Sequence, residues 1–270
     1  LQMKSTYTLG LSAGFHDAAA TLIRSDGEIT FAGHSERYSK LKHDANLSTG
    51  LLEEFCDYHI DTIAYYERPW LKQLRQAYSG QGIEWRKITT GQILRQQLRP
   101  FLMGDAKIHS YSHHLSHAAA GFLTSPFEEA AVVVLDAMGE WESATIWHGK
   151  GTELKKVWSR SYPTSLGLFY SAFTDLIGLK PLGEEHILQQ YSDRGDPHRY
   201  RREVGNYWSS RWTLCENLHK GVRSWKYPID TEQDKYDIAA AVQYIFETQA
   251  MNVMDRAKRL VPTKNLVYMG

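Results

Sequence analysis

Cysteine is scarce in this sequence: Cys56 and Cys215 are the only two among 270 residues. Two thiols cannot build a disulfide framework, and their scarcity fits a reducing cytosol, the expected location. Neither thiol has a neighbour at metal-ligand spacing, so both are expected as buried apolar spacers. Long apolar runs are missing as well. The longest, Ala130 to Leu135, has six residues, against the roughly 20 that a membrane-spanning helix needs. The first residues carry no signal-peptide pattern, and no membrane partner is expected. Charge of one sign is not in excess either, with 31 basic and 31 acidic side chains. Binding a nucleic-acid backbone rests on phosphate neutralisation by a basic field, so no such partner is expected. A nucleotide-sized substrate is compatible with this balance, and self-association into a homo-oligomer is left open.

What is present is a repeated order of elements. The segments Tyr7–Ala13, Ala18–Arg24 and Ile29–Glu36 alternate as strands separated by tight turns, which predicts a three-strand meander. A helix is predicted over Leu47–His59, a buried strand over Asp61–Glu67, and a helical stretch opened by Pro69. A helix near Gln92–Leu98 and a strand over 106–112 then lead to a helix from His113. The pattern restarts with strands Ala130–Met138, Ser143–Gly149 and Glu153–Tyr162, followed by a helix over Ser165–Ile177. An amphipathic helix over Tyr236–Val261 keeps a 3.6-residue period through Ile238, Val242, Ile245, Val253 and Ala257. Pro181 to Trp225 shows no period and reads as a polar insertion or long loop. The expected class is therefore α/β, with two lobes over 3–127 and 128–270, each a mixed sheet with flanking helices. A cleft between such lobes is a favoured ligand site.

The stretch "HHLSHAAAGFLTSPF" places His113, His114 and His117 in one turn. His113 and His117 are four apart, so on a helix they share a face and can grip one metal ion. A capping and packing cluster would have the same spacing. Ala118 to Gly121 follow, so something bulky is expected to pack close to that helix. Asp136 ends the run "AAVVVL" and is a second candidate ligand, although aspartate also ends strands as a turn residue. Gly139 follows in a turn whose backbone N–H groups could hold a phosphate. "GLSAGFHDAAATL" carries His16 and Asp17 at a glycine-flanked hairpin tip, a plausible phosphate or acid–base site. "ERYSKLKHD" reads as a solvated charge patch, and "RYRREVGNYWSSRW" as either an anion-pairing surface or a partly ordered insertion.

These stretches, together with "PTSLGLFYSAFTDLIGLKPLGEEH" and "NLVYMG", stand in the order found in a known family. Over almost its whole length the chain resembles the O-carbamoyltransferases, which include nodulation protein U and the cephem and aminoglycoside antibiotic carbamoyltransferases. The resemblance implies duplicated ribonuclease-H-like lobes of the actin and sugar-kinase superfamily. It implies a metal, usually iron (Fe2+) or another divalent ion, held by His113, His117 and Asp136. It places His16 at the transfer step and His114 facing the carbamoyl group or the acceptor. Asp17 and Lys42 are expected around the carbamoyl-nucleotide, with Gly139 and Glu140 beside the phosphates. The implied chemistry uses ATP and carbamoyl phosphate to form a carbamoyl-adenylate, which a hydroxyl of a small acceptor then attacks. That acceptor could be a sugar, an antibiotic or a modified nucleotide. A non-catalytic nucleotide sensor and a metal-dependent hydrolase are the competing readings. Two departures stand out. "ILQQYSDRGDP" replaces a Lys-containing stretch after "GEEH". The family's sequence also runs on past the position of Gly270 into nucleotide loops and a further aspartate ligand, so the second lobe is expected to be incomplete in this chain.

Overall fold

A computed structural model describes residues 6–98 and 105–270; residues 3–5 of the first expected lobe lie outside them. The chain divides into two compact units, 1–116 and 117–270, the division falling inside a helix ahead of the expected 127/128 position.

In the first unit, β1 (Tyr7–Ser12), β2 (Ala19–Arg24) and β3 (Ile29–His34) form the antiparallel meander. β4 (Ile60–Tyr65) lies parallel to β1, and β5 (Lys107–Ser110) parallel to β4, giving the order β3-β2-β1-β4-β5. Period-2 alternation buries Leu9 and Leu11 of β1 and Ala20 and Leu22 of β2. They pack with Ile63 and Tyr65 of β4, Phe55, and Ile93 and Leu94 of a helix over Thr90–Gln97. Around them stand the short helices α1 (Ser35–Ser39) and α2 (Thr49–Glu53), the longer α3 (Pro69–Tyr78), and α4, the Thr90–Gln97 helix. The helix expected over Leu47–His59 is cut to α2, because Phe55 turns into the core and the chain must reach Ile60 to pair with Tyr7.

The helix α5 (His113–Leu123) leads into β6 (Glu129–Gly139), β7 (Glu142–Lys150) and β8 (Glu153–Ser161), a second antiparallel meander. β9 (Leu266–Met269) lies parallel to β6, so the order β8-β7-β6-β9 reproduces β3-β2-β1-β4 of the first sheet. This duplicated meander-plus-parallel-strand topology is the ribonuclease-H-like arrangement expected of the two lobes. β6 is buried without interruption from Ala130 to Leu135, as a strand covered on both faces should be.

The second core takes in α6 (Leu166–Leu176), α7 (Glu185–Ser192), α8 (Arg201–Gly205) and α9 (Glu232–Leu260). Here two expectations are corrected. Residues 181–225 are no surface insertion: Tyr200, Tyr207, Trp208, Trp212 and Leu218 are buried in this core. Trp208 and Tyr207 meet Phe169 and Phe173 with ring centroids 5.6 and 5.2 Å apart. Large aromatics reach the core from irregular backbone, so no period betrays them. Arg199 is committed to Asp234 and Asp237 of α9, at 2.6 and 2.8 Å, rather than displayed to an anion. The thiols also depart from expectation, since Cys56 is half-buried and Cys215 exposed. Among the described residues no helix is long and apolar enough to cross a membrane.

Candidate metal centre and transfer site

Helix α5 starts at His113 and is tied down within its first turn. The Ser116 hydroxyl shares its hydrogen between the Tyr66 carbonyl, just past β4, at 2.8 Å and the Ser112 carbonyl, just before the helix start, at 3.2 Å. Its small residues answer the sequence expectation of a bulky neighbour. A Cβ on Gly121 would lie 2.5 Å from Met269 Cγ and 2.8 Å from Val267 Cγ1 of β9. The helix therefore sits close against the second sheet, where any side chain at 121 would push it off.

Asp136 does not end its strand. β6 continues to Gly139, and its register against β7 shifts between Leu135 and Gly139. Such an irregularity re-aims side chains. Its backbone is held from behind by Ser165, whose buried hydroxyl donates to the Ala137 carbonyl at 2.6 Å and accepts from Leu168 N–H at 3.0 Å as the N-cap of α6. Gly167 lets α6 approach, since a Cβ there would lie 2.6 Å from Ala137 Cα.

Among the described residues one group could hold a metal ion: His113, His117 and Asp136, with one donor atom from each all within 4.8 Å of one another. Donors bonded at about 2.1 Å cannot lie more than about 4.2 Å apart, so the group is close to bonding geometry. Two imidazoles and a carboxylate suit a divalent first-row metal such as iron or zinc, and the residues present fit the ion the resemblance implies.

His113 and His114 are both buried, their rings 6.1 Å apart, and the Tyr66 ring lies 5.4 Å from His113 on a tilted plane. His113 Nδ1 lies 3.6 Å from the carboxylate of Glu67, a residue only 1 % exposed. Burial pushes the Glu67 carboxyl up, but the His113 contact and the Lys72 ammonium outweigh it and hold the group below the ordinary carboxylate value. Burial, and then the Glu67 charge, raise the Tyr66 hydroxyl, which stays protonated at any physiological pH.

The second cluster is at the β1–β2 connection. The backbone of residues 13–18 is clamped by Gly14 N–H to the Ala45 carbonyl at 2.7 Å and Ala18 N–H to the Asp44 carbonyl at 2.6 Å. Tyr65 Oη adds a bond to the Ala13 carbonyl. On this loop His16 is mostly exposed, with Nδ1 3.1 Å from Asp17 Oδ2. His43 Nδ1 reaches the other carboxylate oxygen, Asp17 Oδ1, also at 3.1 Å. Burial alone would raise Asp17, and the hydrogen bonds to His43 and His16 more than reverse it. Both imidazoles facing the carboxylate through Nδ1 assigns the proton to that nitrogen and the lone pair to Nε2.

The structure thus brings His113, His117 and Asp136 together, and His16 with Asp17. It sets Lys42 in an exposed turn, and it is the next residue, His43, that touches Asp17. Gly139 is the last residue of β6, paired with Glu142; the left-handed turn residue beside it is Glu140, at φ 49° and buried. Sequence reasoning missed Glu67 and His43. An acid at the end of the expected buried strand Asp61–Glu67, two residues ahead of Pro69, was the available signal for Glu67. His43 had none beyond sitting beside Lys42.

A family model described as the carbamoyltransferase N-terminus matches residues 70–270. An uncharacterized protein of Synechocystis is 34% identical over 71% of this chain and 35% of its own length. Nodulation protein NolNO of Sinorhizobium fredii is 27% identical over 94% of this chain and 40% of its own length. The chain therefore spans well under half the length of these two curated relatives. Among solved structures, a ROK family protein from Streptococcus pneumoniae matches with a TM-score of 0.40 and 11% identity, covering 98% of this chain and 92% of that one.

Proposed function

Because this chain belongs to the carbamoyltransferase family, we propose that it carries the transfer site of an enzyme moving a carbamoyl group from carbamoyl phosphate, through a carbamoyl-adenylate made with ATP, to a hydroxyl of a small molecule. The observation that carries this reading is the convergence of His113, His117 and Asp136 within 4.8 Å. These three side chains would hold a divalent ion, which when bound supplies Lewis-acid charge for the phosphate of the leaving AMP.

The rest belongs to the chain's own residues. His16 offers Nε2 as the general base, because Asp17 occupies Nδ1 at 3.1 Å. The acceptor oxygen bonds to the carbamoyl carbon while its proton passes to His16 Nε2. The bond from that carbon to the AMP oxygen then breaks, AMP leaves with the bonding pair, and the acceptor keeps a carbamate ester. Asp17 orients the imidazole and offsets the positive charge it gains. His114 is buried one residue along from His113 on the same helix turn; in this reading it would face the carbamoyl group, where a hydrogen-bond donor stabilises charge developing on its oxygen. The acceptor belongs to the class of small hydroxylated molecules, among them sugars, antibiotics and modified nucleotides.

The test is a mass-spectrometric screen of the full-length protein with carbamoyl phosphate, ATP and a panel of hydroxyl acceptors. AMP formation and a carbamoylated acceptor, each requiring all three components, are expected. Phosphate release that ignores the acceptor would overturn the proposal in favour of a hydrolase. Nucleotide binding without turnover across the panel would overturn it in favour of a sensor.

A further inference from the structure

Glu67 poses a separate question. It is 1 % exposed, and burying a carboxylate is costly unless it is paired and hydrogen-bonded. Its first partner is Lys72 in the opening turn of α3, whose Nζ lies 3.1 and 3.3 Å from the two carboxylate oxygens. Lys72 is itself almost buried and sits 3.5 Å over the centroid of Phe15, the neighbour of His16. Replacing such a pair by apolar side chains of similar size is often neutral or stabilising, so packing alone does not explain its presence.

The second neighbour of Glu67 is His113. The backbone fixes their approach on both sides. Tyr111 N–H donates to the Tyr65 carbonyl at 3.0 Å, and Ser116 Oγ donates to the Tyr66 carbonyl at 2.8 Å. The last two residues before Glu67 thus hold the chain just before and just inside the start of α5. With that anchor the His113 ring can turn only about its own side-chain bonds, and its Nδ1 edge faces the carboxylate at 3.6 Å.

We propose that Glu67 is a positioning residue for the metal centre, holding the proton of His113 on Nδ1 so that Nε2 is the nitrogen presented to a divalent cation. A ligating histidine whose other ring nitrogen faces a carboxylate is fixed in orientation and made a stronger donor. Lys72 neutralises the buried charge, and its seat on Phe15 joins the His113 support to the loop that bears His16. The inference rests on the metal reading of His113, His117 and Asp136, and it adds a residue from another element that touches no substrate.

The experiment titrates the full-length, metal-stripped protein with Co(II), following heat and visible absorption, with Tm of the metal-free protein as the folding control. Wild type is expected to bind one Co(II), and Glu67→Gln to bind it about 10- to 100-fold more weakly. His113→Ala weakens binding further, and adding Glu67→Gln to it should change nothing more, since Glu67 acts through that ring. If Glu67→Gln does not fold, the pair Glu67→Gln with Lys72→Met removes both buried charges and takes its place. Co(II) bound by wild type and by Glu67→Gln with equal affinity overturns this inference alone. An equal Glu67 effect with and without His113 also overturns it, since that marks a general structural role. Failure of wild type to bind Co(II) overturns the metal reading and this inference together.

Discussion

Ser165→Ala should loosen the carboxylate arm of the proposed metal centre from behind, without touching a candidate ligand. Ser165 is fully buried; its hydroxyl accepts from Leu168 N–H and donates to the Ala137 carbonyl at 2.6 Å, with the Asp136 carbonyl farther off at 3.4 Å. Losing the cap of α6 costs about 1 kcal/mol. Leaving the half-buried Ala137 carbonyl without this donor adds about 1–2 kcal/mol. The total is about 2–3 kcal/mol, which for a domain of this size lowers Tm by roughly 4–12 °C. Ser48→Ala, at the N-cap of α2, is the control, because its hydroxyl accepts from Leu51 N–H at a longer 3.4 Å. It should cost no more than about 1 kcal/mol. Urea unfolding followed by circular dichroism measures both, and an unchanged m-value shows that the denatured state is the same. Co(II) affinity should fall for Ser165→Ala and hold for Ser48→Ala, since only the former frees the backbone beside Asp136. A loss for Ser165→Ala no larger than that for Ser48→Ala would refute the claim that this hydroxyl anchors the irregular end of β6.

His117→Ala and Asp136→Asn should each cut bound metal per chain sharply, measured by elemental mass spectrometry on the purified protein. His16→Ala should lower turnover about 10²–10⁴-fold while Tm holds, because the side chain is 59 % exposed and packs against little; a large fall in Tm would contradict its assignment to the base. Acid stability should depend on Asp234, which the Thr231 hydrogen bonds and then the Arg199 charge hold at about 2. A carboxyl depressed in the folded state stabilises above its unfolded value, about 3.9, and that stability is lost as pH falls from there through about 2. Arg199→Met should therefore move the acid unfolding midpoint to higher pH, and an unmoved midpoint would show that the network is idle.

Much of this was legible in one dimension because the information was local. Both meanders announce themselves through short alternating strands and tight turns. α9 shows its 3.6-residue period from Ile238 to Ala257, and the pair His113 and His117 is a matter of counting four along a helix. The segment 181–225 hid for the opposite reason. Of its buried residues, Tyr207 and Trp208 meet aromatic rings of α6, Trp212 meets Trp158 of β8, and Tyr200 meets Trp225, so their spacing follows the partners they reach and not the pitch of an element.

The amino-acid sequence by itself determined the α/β class, the repeated element order, and which histidines and aspartates carry candidate chemistry, since pattern and residue type act over a few neighbours. Tertiary structure alone decided which of them meet. His43 reaches Asp17 from 26 residues away because the 44–45 backbone binds the β1–β2 loop. Glu67 reaches His113 because the end of β4 carries the start of α5. Buried charges find partners by burial and backbone anchoring, and neither leaves a periodic trace along the chain.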